Sequence, residues 1–290
     1  MVDVTNGVPG ARLIEDAANG MILELENLHA SARIALKGAK VLSFIPRGGA
    51  EVIGGGTSTD VTSHRGVPVC WPWFGSAGKP SHGFVRNAEW TLVKVEAVPG
   101  DAHRAVFAID AAECADPRSA EFPLRLTLTV ECGDVLEIAL GMHNHLDRPV
   151  TIGCALHTYF HISDISTIAV RGLDGVRYVD HTAAGKQSEK RQAGDIRFAG
   201  EVDWVFLPSR ETAEIVDHGL KRVIRVEKSG SGATVVWNPG AELAAKYPDL
   251  AEVGYRRMVC VEAANAFEDV RTIPPGAVHS LSQKISCRPL

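Results

Sequence analysis

The sequence predicts an all-β protein, one large antiparallel β-sandwich that spans residues 1–290 as a single domain. Three observations predict it. Short runs rich in apolar and β-branched residues recur from end to end, separated by Gly, Pro, Asn and Asp. Leu-Arg-Leu-Thr-Leu-Thr-Val at 124–130 alternates strictly, as a half-buried antiparallel strand must. No apolar pattern of helical period persists over a convincing length.

Taken in chain order, strands are expected at 21–25, 41–45, 90–95, 105–109, 124–130 and 135–140. Further runs lie at 150–156, 165–170, 223–226, 233–237, 257–262 and 277–285. Residues 241–246 fit one short turn of helix, while Gly54-Gly55-Gly56 and 183–194 read as long loops. No repeat, low-complexity tract or composition shift marks a domain boundary, and sandwiches of this length often stay undivided.

Hydrophobic residues at 45% and charged residues at 22% allow a sizeable core. A net charge of -5 argues against nucleic acid as a partner, since phosphate backbones demand a basic face. A single small phosphate needs only a local pair of cations. No apolar run approaches the roughly 20 residues of a membrane span. The opening Met-Val-Asp-Val-Thr-Asn lacks the basic flank and apolar stretch of a secretory signal. The six cysteines show no CxxC spacing and several sit in apolar strand runs, which fits reduced structural thiols. These features lead us to expect a cytoplasmic monomer without membrane contact.

Four segments interrupt apolar sequence with reactive groups. Ser63-His64-Arg65-Gly66-Val67-Pro68-Val69-Cys70-Trp71-Pro72-Trp73-Phe74-Gly75 is stiff and aromatic, and reads equally as a packed corner or a sugar-facing wall. His82 and Arg86 lie four apart in a short glycine-containing loop, either ordinary surface or a binding loop. His157 follows small and apolar residues, so it is either a satisfied core histidine or one tuned by partial burial for acid–base work. Glu262, in Met258-Val259-Cys260-Val261-Glu262, is the most demanding residue of all. A glutamate in such a strand is costly to bury unless paired or used, and burial lifts its pKa toward the range of a neutral-pH general base.

Trp-Pro-Trp-Phe-Gly, His-Gly-Phe-Val-Arg-Asn, Leu-His-Thr-Tyr-Phe, Val-Val-Trp-Asn-Pro and Met-Val-Cys-Val-Glu-Ala-Ala-Asn occur in that order. Together, over roughly residues 20 to 285, they resemble the hexose-6-phosphate mutarotase branch of the aldose 1-epimerase superfamily. The resemblance implies a galactose mutarotase-like sandwich with a sugar site on a concave sheet face. It implies His157 and Glu262 as the catalytic pair, His82 near the sugar ring, and Arg86 on substrate and phosphate. It also implies Asp203 as a hydroxyl ligand. One departure stands out: histidine occupies the usual arginine position before Gly-Val-Pro, and the arginine moves one place on to Arg65. One step reverses side-chain direction on an extended chain. The expectation is that Arg65 still reaches the substrate through the adjoining loop.

Anomer exchange needs only two groups of different pKa flanking one hemiacetal, so neither metal nor cofactor is expected. The expected substrate is a sugar phosphate, with Glu262 taking the C1 hydroxyl proton and His157 donating to the ring oxygen. Two other classes compete. A metal-dependent cupin would use His143 and His145, although the glutamate expected a few residues on is missing. A non-catalytic carbohydrate-binding module would use the aromatic wall without needing both His157 and Glu262.

Overall fold

The computed structural model describes residue 5 and residues 7–290. Two eight-stranded antiparallel sheets face each other, and a four-stranded sheet of Ala11–Asp16, Gly20–Glu26, Ala30–Ala35 and Lys40–Pro46 packs beside them. The backing sheet runs in the order Ile168–Arg171, Ala213–Asp217, Arg222–Ser229, Val278–Pro289, Leu136–His143, Arg125–Cys132, Ala102–Asp110, Thr91–Val98. Its alternation is visible in burial. Leu126, Leu128, Val130 and Cys132 turn into the core while their neighbours stay partly exposed.

The second sheet carries the site. Its order is Ser188–Arg191, Arg177–Asp180, Val202–Phe206, Ala233–Asn238, Met258–Asn265, Cys154–Leu156, Val69–Cys70, with Tyr159–His161 also paired to Met258–Asn265. Every residue of Met258–Asn265 is buried, so this strand is covered on both faces. Gln283 of the backing sheet ties the layers together, donating to the Val261 carbonyl at 2.8 Å and accepting from the Thr158 hydroxyl.

Several strand expectations are met, and the differences have physical reasons. The run at 150–156 divides at Gly153 into Val150–Ile152, paired with Arg271–Ile273, and Cys154–Leu156 in the site sheet. A Cβ at Gly153 would come within 3.2 Å of the Asn265 carbonyl oxygen, so only glycine passes this crossing freely. Residues 183–194, read as a loop, contain the strand Ser188–Arg191, an exposed polar edge held by pairing with Arg177–Asp180. The short helix is Gly240–Ala244. All six cysteines are free thiols.

Candidate active site

The register of the site sheet builds a floor of mixed polar and apolar side chains. Asp203, Trp237, Cys260 and Tyr159 are lateral neighbours in one row. Val205, Val235 and Glu262 form the next, two residues along and so on the same face. Opposite Glu262 the ladder breaks. Leu156 pairs with Ala263 and Tyr159 with Cys260, leaving His157 and Thr158 unpaired between them. Thr158 turns to Gln283 in the backing sheet, and His157, its N–H bonded to the Pro68 carbonyl at 3.0 Å, turns to the floor.

His157 Nε2 lies 3.5 Å from Glu262 Oε1, and both side chains are almost wholly buried. Neither carboxylate oxygen nor His157 Nδ1 has a hydrogen-bond partner among the described residues. Buried polar atoms are nearly always satisfied, and each one left unmade costs about 1–3 kcal/mol. Burial pushes Glu262 well above the ordinary carboxyl range, with the charge of Asp203 adding and that of Arg86 opposing. Burial pushes His157 well below its usual value, helped by the charges of His82 and Arg86. Both groups therefore favour their neutral forms, with the shared proton on the carboxyl. The imidazole is held flat by Tyr159, whose ring stacks on it at 4.8 Å and 10°.

His82 reaches the floor through a crossing that requires glycine. Gly83 has φ +75°, and a Cβ there would strike the Trp71 carbonyl oxygen at 1.8 Å. Trp71 and Gly83 bridge, which sets the His82 ring 5.2 Å from that of His157. His82 Nδ1 accepts from the Gly75 N–H at 3.3 Å and faces the Cys70 thiol at 3.4 Å. The ring proton is thereby placed on Nε2. Burial, with Arg86 and His64 adding, lowers its pKa to about 4, so His82 is a neutral donor at neutral pH. Asp203 is lifted to about 6, first by burial and then by Glu201 and Asp180.

His82, His157, Asp203, Val205, Val235 and Glu262 line a cavity of about 760 Å³ whose walls include Trp73, Phe74, Trp237, His181, Gln187, Phe267 and Glu268. Of the six residues expected from sequence, His82, His157, Asp203 and Glu262 converge here. Arg86 does not line the cavity, yet its charge acts on His82, His157 and Glu262. Arg65 is not brought to it. Its Nη1 donates to the Ser58 carbonyl at 3.3 Å, and its charged surroundings are Glu51, Arg33 and Asp16. Extended pairing of Arg65 with Gly55 explains this, since one step along such a segment reverses direction. His64 points the other way, its Nδ1 3.1 Å from Asp249 Oδ1 and its ring stacked 6.5 Å from Trp237.

Sequence reasoning passed over Trp237, His181, Gln187 and Phe267. Only Trp237 carried a sign, as part of Val-Val-Trp-Asn-Pro. His157, Cys260 and Glu262 place three ligand-type atoms within 4.8 Å of one another, the one such grouping among the described residues. His143 and His145, weighed as cupin ligands, are exposed, with rings 6.2 Å apart, and belong to no such grouping among those residues.

The aldose 1-epimerase family profile covers residues 21–286. The chain belongs to the aldose 1-epimerase family. It is 34% identical over 273 residues to an Escherichia coli (strain K12) protein provisionally named glucose-6-phosphate 1-epimerase, covering 91% of this chain and 89% of the relative. A Cenchrus ciliaris protein with the same provisional name is 36% identical over 220 residues, covering 73% of this chain and 66% of that one. A crystal structure of a provisionally assigned Salmonella typhimurium mutarotase superposes with a TM-score of 0.84 at 28% identity, covering 97% of both chains. A galactose mutarotase-like protein from Clostridium acetobutylicum, at 13% identity and TM-score 0.77, covers 97% of this chain and 98% of its own and shares the fold.

Proposed function

We propose that the protein interconverts the α and β anomers of a hexose 6-phosphate, with glucose 6-phosphate as the expected substrate. The observation that carries this reading is the buried His157–Glu262 pair, 3.5 Å apart on the cavity floor, with both carboxylate oxygens and His157 Nδ1 lacking hydrogen-bond partners among the described residues. The provisional names of the relatives support the phosphorylated substrate.

In the forward step the Glu262 carboxylate takes the C1 hydroxyl proton and the His157 imidazolium gives a proton to the ring oxygen. The C1–O5 bond breaks to the aldehyde, C1–C2 rotates, and the same transfers in reverse close the other anomer. Burial keeps the shared proton on Glu262 in the free protein. A sugar that donates to the carboxylate and accepts from the imidazole favours the ion pair, which holds the same number of protons. Binding thus arms the pair without taking a proton from solvent. His82 donates from Nε2, and Asp203 accepts from a sugar hydroxyl.

A second reading, exchange on unphosphorylated aldoses, is favoured by the lining itself, which contains no Lys or Arg. Polarimetry on freshly dissolved α-glucose 6-phosphate and α-glucose separates the two. The phosphorylated sugar should show the higher kcat/KM. Equal values would reassign the protein as a general aldose mutarotase, and no acceleration of either would leave it a sugar-binding protein.

A further inference from the structure

Phe267 stands at the cavity mouth in a conformation that aromatic residues avoid. Its φ is +54°, in the left-handed region where a bulky side chain is strained. The residue is 48% exposed, on the wall of the cavity whose floor carries His157, Asp203 and Glu262. The turn is locked rather than loose. The Asp269 N–H bonds the Ala266 carbonyl at 2.9 Å, and the Asp269 carboxylate accepts from the Gly232 N–H at 2.7 Å, from Asn265 Nδ2 at 2.6 Å and from Arg271. Asn265 ends the strand that carries Glu262, so the strained turn is anchored to the catalytic strand. The Phe267 ring stacks on His181 at 4.6 Å and 28°, and meets Phe74 edge-on at 6.3 Å. Phe74 in turn lies 5.1 Å from the ring of His82.

We propose that Phe267, backed by His181 and Phe74, is a substrate-binding residue whose ring takes the apolar C–H face of the pyranose bound at His157 and Glu262. An aldohexose with equatorial hydroxyls shows axial C–H groups on both ring faces, and an aromatic plane matches such a face. Continuity with the catalytic cavity selects the sugar as occupant of this exposed ring, since Phe267, His157 and Glu262 line the same space. The role is specific to binding, because Phe267 carries no group that can transfer a proton. It rests on the sugar-exchange reading for the identity of the ligand.

Phe267→Gly provides the test, because glycine relieves the positive φ and removes the ring at once. KM for glucose 6-phosphate should rise about five- to tenfold with kcat unchanged, matching the loss of one aromatic contact. The melting temperature should hold or increase, and Phe267→Tyr should restore the wild-type KM. Calorimetric binding of glucose 6-phosphate to Glu262→Gln, with and without Phe267→Gly, gives the same comparison without turnover. A protein that binds sugar through Phe267 but never exchanges anomers would sink the catalytic reading and keep this one. An unchanged KM and Kd in Phe267→Gly, or a loss confined to kcat, overturns the stacking role.

Discussion

The two large sheets are built from similar apolar sequence and differ in what they leave unfinished. In the backing sheet, Arg125–Cys132 alternates between core and surface, and its outer charges pair, as Arg104 does with Glu131 at 2.8 Å. In the site sheet, Met258–Asn265 is buried throughout and contains the Glu262 carboxyl, which has no hydrogen-bond partner among the described residues. The backing sheet satisfies nearly all its buried side-chain polar atoms within the protein, Arg222 Nε being the exception among the described residues. The other leaves both Glu262 carboxylate oxygens without a hydrogen-bond partner among the described residues, and the folded state bears the desolvation cost; on the proposed function these groups are held in reserve for a ligand. On the proposed function, stability and chemistry are divided between the sheets, and each can be perturbed separately.

The largest expected effect is Glu262→Gln. Glutamine keeps the shape and cannot accept the C1 proton, so exchange should fall about 10²–10⁴-fold with the fold intact. Near-wild-type exchange in a folded variant would remove Glu262 from the mechanism. Leu140→Ala is the mirror experiment. Leu140 is wholly buried in the backing sheet between Leu128 and Leu281, so truncation should cost about 2–5 kcal/mol in denaturant titration. Its folded fraction should keep wild-type kcat, and a kcat loss approaching that of Glu262→Gln would break the division between the sheets.

Asp203→Asn tests the cost of the reserve directly. Burial raises Asp203 from 3.8 to about 6, so between those values the folded protein holds a proton that the unfolded chain releases. The native state is therefore penalised as pH rises through that window, fully so above about pH 6. Asparagine removes the penalty, and stability at pH 7 should rise by up to about 3 kcal/mol, with little change at pH 4. KM should increase at the same time. Equal stabilisation at both pH values would show that the gain does not come from the charge.

How much of this was legible in sequence follows the same division. The run at 124–130 announced itself because one face is wet and one dry, and the observed strand is Arg125–Cys132. Ser188–Arg191 was illegible because it buries nothing and owes its form to a neighbour. In the site, Glu262 stood out because a carboxyl in an apolar strand costs too much to be incidental. Phe267 and His181 did not, because their meaning comes from three-dimensional convergence on one cavity. Arg65 misled for the opposite reason. Composition put a cation in the right segment, and pairing with Gly55 directed it to Ser58.

The smallest expected effect concerns that pair of arginines. If the 6-phosphate is recognised at the end of the floor where the Arg86 charge acts, Arg86→Ala should erase about tenfold of the preference for glucose 6-phosphate over glucose. That is the worth of one charge-assisted hydrogen bond to a phosphate. The loss of preference should fall on KM for the phosphorylated sugar, while any change in kcat from the altered His157 and Glu262 should be the same for both sugars. A second consequence separates binding from mere loss of structure. Burial is the main reason His82 and His157 are held below the usual histidine range, and the Arg86 charge adds to it, so removing Arg86 should make both histidines somewhat more basic, measurable by NMR titration of the imidazole protons. Arg65→Ala should leave the preference unchanged, since its guanidinium is engaged with Ser58 near Glu51. If Arg65→Ala lowers the preference as much as Arg86→Ala, the phosphate lies on the Ser58 side of the loop, and the cavity described above is only the sugar half of the site.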